Sequence, residues 1–218
     1  MRKSIARALS HSKATVPHFY TAMDVEMDAL LDLRAQMNAD GTGPRVSVND
    51  MILRASALAL HAHPDVNVHV SDEGVTPLSR ADVAMAVAIE GGLLTPVVRD
   101  VAAKGLRQIA EESADLALAA RERRLDAASL EGAGFTVSNL GMFGVRNFCA
   151  IVAAPQAAIL AVGGARREAR EGQGGAVRFA SVTTLTLSAD HRAVDGALAA
   201  RFLSTLRDLI EAPYRLIL

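Results

Sequence analysis

Near its C-terminus the chain carries Ser188-Ala-Asp-His-Arg-Ala-Val-Asp-Gly196, an apolar run ending in a histidine that is followed four residues later by an acid and then a glycine. Histidine has the unperturbed side-chain pKa nearest working pH, so His191 can take up and return a proton. Asp190, Arg192 and Asp195 place charge around it. Val182 to Leu187 alternates Thr and Leu as a half-buried strand does, and Leu198, Phe202, Leu206, Leu209 and Ile210 recur at helical spacing. His191 therefore falls at a strand-to-helix junction, where rigid elements can hold a side chain toward a cleft. The same residues also fit a surface turn in which Asp195 caps the next helix and His191 is merely solvated.

Two further places have residue types suited to chemistry. Ser138-Asn139 follows the strand-like Phe135 to Val137 and precedes Gly141 and Gly144. Small residues there let a ligand approach the backbone, although Ser, Asn and Gly are also ordinary turn formers. Arg34 lies seven residues after Met27 on the helical stripe of Met27, Leu30, Leu31 and Met37. A guanidinium on an apolar face is either snorkelling or ion-paired, or it holds an anion at a pocket edge.

The elements that must position these residues alternate between helical and strand-like, without repeats, so the spacing predicts an α/β fold in one domain over 1–218. Ser47-Val-Asn-Asp50 resembles a capping box opening a helix through Ile52, Ala55 and Ala59. Val83 to Ile89 reads as one buried strand ending at Gly91-Gly92, and Leu106 to Arg123 as an amphipathic helix. Gly163-Gly164 and the polar Ala165 to Gly175 mark an exposed hairpin or loop before the last strand.

Half of the 218 residues are hydrophobic, enough for a substantial core, and the net charge of -1 leaves no basic footprint for nucleic acid. No apolar run approaches the roughly 18 residues of a membrane span. One cysteine excludes an internal disulfide framework and a multi-cysteine zinc site, and Cys149, in an apolar stretch, is expected in the core. His61 and His63 precede Pro64 at a helix end, where they suit capping better than metal binding. Met1 to Lys13 is basic, serine-containing and free of acids, as transit peptides are, and it lacks the apolar h-region of a secretory signal.

Asp190-His-Arg-Ala-Val-Asp-Gly196 resembles the signature of the dihydrolipoamide acyltransferases, the E2 core components of 2-oxo acid dehydrogenase complexes. Met1 to Leu9 with Pro17-His-Phe19, Gly92 to Asp100, Phe135 to Gly144, Pro155-Gln156 and Pro213-Tyr214 resemble that family's blocks in the same order, across essentially the whole chain. Val101 to Gly105 departs from the family's more polar run. The resemblance implies a chloramphenicol acetyltransferase-like two-layer α/β sandwich with a mixed sheet, assembled as trimers with active sites between subunits. His191 would be the base on the coenzyme A thiol and Ser138 the oxyanion donor. Asp195 would hold the loop geometry, with Arg7 as one candidate partner. Arg34, Ser47, Ser138, Asn139 and Gly163 would contact coenzyme A, His18 would be structural, and no metal would be needed.

The block from Ser138 to Gly144 looks closest to acetyl-transferring members of pyruvate dehydrogenase complexes. A branched-chain or acetoin-linked acyltransferase, or a non-catalytic structural core, is the alternative. The same resemblance implies a lipoyl group presented by a separate domain, and E1 and E3 components joined through upstream modules. It further implies cubic or dodecahedral cores of twenty-four or sixty copies, with Leu216-Ile-Leu218 as an apolar hook between trimers. The location would be a bacterial cytoplasm or a mitochondrial matrix, with no nucleic acid and no membrane as partner.

Overall fold

The computed structural model describes residues 2–218, so Met1 of the first block lies outside the described residues. In chain order the elements are α1 (Arg2–Thr15), β1 (His18–Glu26), α2 (Asp28–Asn38), α3 (Val48–Ala62), β2 (Val68–Ser71), β3 (Gly74–Pro77), β4 (Val83–Met85), β5 (Val87–Ile89), β6 (Gly92–Leu94) and β7 (Val97–Val98). There follow α4 (Leu106–Arg121), β8 (Phe135–Asn139), β9 (Ala158–Val162), β10 (Arg166–Glu171), β11 (Val177–Asp190) and α5 (Gly196–Glu211). One mixed sheet runs β1-β11-β9-β8-β4-β7, with β10 also paired to β11. β11 is antiparallel to β1, β9 and β10, whereas β8 is parallel to both β9 and β4.

That polarity decides where the site residues fall. The C-terminal ends of β8 and β9 lie at one end of the sheet, along the strand direction, and the C-terminal end of β11 at the other. On β11, Leu185, Leu187 and Ala189 are buried in the core, while Thr184, Thr186, Ser188 and Asp190 alternate onto the opposite, polar face. α5 buries Ala199, Phe202, Leu203, Leu206 and Ile210 as one stripe, and the Phe202 ring meets Phe135 of β8 at 5.5 Å. α3 is buried without interruption from Asp50 to Ala57, so it is a helix enclosed by its neighbours rather than laid on a surface. The side chain of Arg54 on this helix is spent on the carbonyls of Val101, Ala102 and Leu216.

α1 is tied to the rest of the chain at its C-terminal end. The Ser12 hydroxyl donates to the Val152 carbonyl at 2.6 Å. His18 accepts from the Val152 N–H at Nε2 (3.0 Å) and meets the Val16 carbonyl at Nδ1 (2.9 Å), which assigns it the neutral Nδ1–H tautomer and a structural role.

Several expectations change. Val83 to Ile89 is not one strand. The chain leaves the main sheet at Ala86, and Val87 to Ile89 turns through Gly91 (φ 83°) into a hairpin with β6. An apolar run looks the same on either path, so periodicity missed the break. α4 stops at Arg121, and Arg123 in the left-handed region (φ 58°) turns the chain away. Ala165 to Gly175 is a hairpin, but most of it is β10, and β11 extends well beyond Val182 to Leu187 at both ends. Cys149 is exposed rather than in the core. Leu216 is fully buried in its own core, so only Ile217 and Leu218 of the apolar tail are exposed.

Candidate active site

His191 sits immediately after β11, in a turn that ends where Asp195 caps α5 by accepting from the Leu198 N–H at 2.7 Å. The capping acid and the exposed histidine of the surface-turn reading are both present, at the strand-to-helix junction the spacing predicts. The His191 N–H donates to the Pro17 carbonyl at 3.0 Å, and the ring lies 5.2 Å from that of Phe19. The imidazole makes no hydrogen bond among the described residues. Asp195 forms no ion pair with Arg7 within the protomer, among those residues.

Ser138 lies at the far end of the sheet. It lines a cavity of about 440 Å³ together with Ser47, Asn49, Asp50, Asn139 and Ser113, with Arg45 and Arg121 also on its wall. Its hydroxyl has no hydrogen-bond partner among the described residues, so its proton is free to be donated. A neighbouring cavity of about 410 Å³, mostly apolar, is lined by Met27, Leu31, Ser47, Asn139, Gly163 and Thr183. Ser47, Asn49, Asn139 and Met142 line both cavities and form the wall between them.

This wall is held by hydrogen bonds. Ser47 and Asp50 complete the expected capping box, and the Asp50 carboxylate accepts from the Ser47 N–H (2.7 Å), the Ser47 hydroxyl (2.6 Å) and the Ser113 hydroxyl of α4 (2.6 Å). The hydroxyl proton of Ser47 is thus committed, leaving that oxygen only as an acceptor toward a ligand. Asn139 accepts from the Gly141 N–H at 2.8 Å and donates to Asn49 Oδ1 at 3.4 Å. Gly163 has a packing reason of its own, since a Cβ there would come within 2.1 Å of the Arg146 carbonyl oxygen. Arg34 lines neither cavity. It is half-buried, and its Nε donates to the Val46 carbonyl at 3.1 Å.

The structure therefore brings together Ser47, Ser138, Asn139 and Gly163, and sets His191 and Asp195 apart from them. Ser138 pairs with Ala161, which pairs with Thr186, five residues before His191. At strand spacings this is roughly 16 Å along the sheet and about 10 Å across it, or about 19 Å within one chain. Sequence reasoning missed Asn49 and Ser113. The capping pattern Ser47 to Asp50 pointed at the first, and no local signal pointed at the second.

Chloramphenicol acetyltransferase shares the fold, with a TM-score of 0.56 and 16% identity over 94% of each chain. The chain belongs to the family "2-oxoacid dehydrogenases acyltransferase (catalytic domain)", whose model matches residues 1–218. The dihydrolipoyllysine-residue acetyltransferase component of the pyruvate dehydrogenase complex of Rhizobium meliloti is 47% identical over 98% of this chain and 49% of its own length. The chain spans about half the length of the curated relatives it matches. Dihydrolipoamide acetyltransferase of Azotobacter vinelandii, studied for the roles of a serine, a histidine and an asparagine in its mechanism, has a TM-score of 0.94 and 34% identity over 100% of this chain and 90% of that one. The cubic core of a pyruvate dehydrogenase multienzyme complex gives the same values.

Proposed function

We propose that this chain transfers an acetyl group between dihydrolipoamide and coenzyme A, as the E2 core of a pyruvate dehydrogenase complex. The observation that carries this reading is the pair of unengaged groups, a histidine imidazole and a serine hydroxyl, held at opposite ends of one sheet. A proton acceptor and an oxyanion donor about 19 Å apart cannot serve one carbonyl within a chain. They can do so where the His191 end of one copy meets the Ser138 end of another. Trimers with sites between subunits satisfy that requirement, and the cubic core among the related structures supports a larger assembly of such units.

The chemistry follows from what thiol-to-thiol acyl transfer needs. The thiolate is the nucleophile and a thiol is mostly protonated at neutral pH, so His191 takes the proton from coenzyme A as it attacks the acetyl thioester. The carbonyl carbon becomes tetrahedral, and its oxyanion is stabilised by the free Ser138 hydroxyl, a contribution of about 3 kcal/mol for one well-placed donor. Collapse breaks the bond to the dihydrolipoyl sulfur, which leaves with the proton returned by the imidazolium. Asp195 acts on this geometry as the cap that fixes the start of α5 just after the histidine. Ser47, Asn139 and Gly163 form the walls along which coenzyme A lies, and Arg34, one turn beyond Leu31 on the same face of α2, offers its free guanidinium nitrogens to a phosphate. The lipoyl group arrives on a separate domain, and the E1 and E3 components act through segments outside these residues. The related proteins include bacterial and mitochondrial forms, consistent with a bacterial cytoplasm or a mitochondrial matrix.

The test is coenzyme A-dependent acetyl transfer with free dihydrolipoamide, comparing the parent with His191→Ala at matched oligomeric state. A loss of at least about a hundredfold in kcat is expected. A parent inactive with acetyl-CoA and with branched acyl-CoAs would overturn the reading.

A further inference from the structure

We propose that Asp190 and Arg192 are a positioning pair that aims the His191 imidazole, so that this base is oriented by its own turn rather than by an acid on its ring. The inference rests on the reading of His191 as the base. Asp190 is 1% exposed, yet its carboxylate accepts from Arg192 Nε (3.0 and 3.1 Å to its two oxygens), from Arg192 Nη2 (2.7 Å) and from the Arg192 N–H (3.0 Å). The residues before and after the histidine are thus clamped to each other, and His191 is the one residue between them.

The backbone closes the same turn. The Asp190 carbonyl accepts from Ala193 N–H (3.1 Å) and Val194 N–H (3.0 Å), its N–H donates to Ala157, and the His191 N–H donates to Pro17. With the backbone fixed on both sides, His191 is left few ways to point. Among the described residues, no carboxylate does this work at the ring. Asp195 is committed to the Leu198 N–H, and the ring has the Phe19 ring, tilted by 59°, as its neighbour at 5.2 Å. The other charged or titratable groups nearby are Asp72, which reaches Arg192 at 3.9 Å, and His18, opposite Asp190 on β1 with both ring nitrogens engaged. An arginine is required because a planar fork can close two parallel bonds on a carboxylate, whereas lysine offers one point charge.

Two variants separate geometry from charge. Arg192→Lys keeps the charge and loses the fork, and kcat is expected to fall about ten- to a hundredfold with KM for coenzyme A nearly unchanged. Arg192→Gln leaves the Asp190 carboxylate uncompensated one residue from His191, which favours the imidazolium and moves the acid limb of the pH–rate profile to higher pH. The double variant Asp190→Asn/Arg192→Gln removes both charges, so the limb returns toward its parental position while kcat stays low. A residue that only stabilised the fold would change the melting temperature and leave the limb in place.

The second readout needs no turnover. The rate at which diethyl pyrocarbonate modifies His191 in the intact assembly is followed against pH by peptide mass spectrometry. In Arg192→Gln, modification is expected to develop at higher pH than in the parent. A parent without acetyl transfer would sink the acyltransferase reading and leave this second test standing. Unchanged kcat in Arg192→Lys, or an unshifted modification profile in Arg192→Gln, overturns the positioning role.

Discussion

The two ends of the sheet hold their chemistry by different means. At the end of β11, His191 is fixed within five residues of sequence, through Asp190, Arg192, Val194 and one contact from Pro17. At the ends of β8 and β9, Ser138 faces a wall whose key bond, Ser113 to Asp50, joins residues 63 apart in the chain. A locally tied group keeps its geometry as long as its turn closes, whereas the serine wall depends on α3, α4 and the sheet packing correctly together. Chemistry should therefore fail cleanly at the histidine end and in step with stability at the serine end.

The largest test of this contrast mixes two inactive chains. Co-assembly of His191→Ala with Ser138→Ala is expected to restore roughly a quarter of parental activity, the share of interfaces that join two intact ends in a symmetric ring. No recovery after confirmed co-assembly would mean that the two ends do not meet between copies. Ser138→Ala alone should lower kcat by about a hundredfold or more with little change in KM, as steady-state kinetics at fixed oligomeric state would reveal.

Ser113→Ala sharpens the comparison from the other side. It leaves a buried oxygen of Asp50 without its donor, so unfolding stability measured in urea should drop by about 1 to 3 kcal/mol. KM for coenzyme A should rise while the pH profile stays in place. No equivalent stability loss is expected from His191→Ala, whose side chain is exposed.

The smallest effect belongs to the polar face between the two ends. Burial alone would raise the Asp24 carboxyl, but the Thr184 hydroxyl and the Arg166 guanidinium outweigh it and hold Asp24 below the usual carboxylate range. A carboxyl depressed by folding stabilises the protein above its unfolded pKa of about 4, and that contribution fades as pH falls through the lowered folded value. Asp24→Asn should flatten the stability curve only in that acid window, as thermal melts at stepped pH would show.

Much of this was legible in the sequence where one segment carries its own signal. The helical stripe from Leu198 to Ile210, the capping box at Ser47 and the strand-end histidine each follow from spacing within a dozen residues. The polar part of β11 near Val177 was hidden because an exposed hairpin arm lacks the burial that makes strands alternate. Cys149 was misplaced because an apolar neighbourhood in sequence is not burial. The separation of Ser138 from His191 within a chain could not be read from the residues, since it depends on the order and direction of strands in the sheet.

β11 pairs with three strands at once, and its alternation assigns the leucines to the core and the hydroxyls and Asp190 to the other face. A slip of one residue would push Asp190 and two threonines into the core and swing the histidine to the wrong side. Fold and reactivity thus share one alignment step during biogenesis. A mispaired chain would lose solubility together with activity.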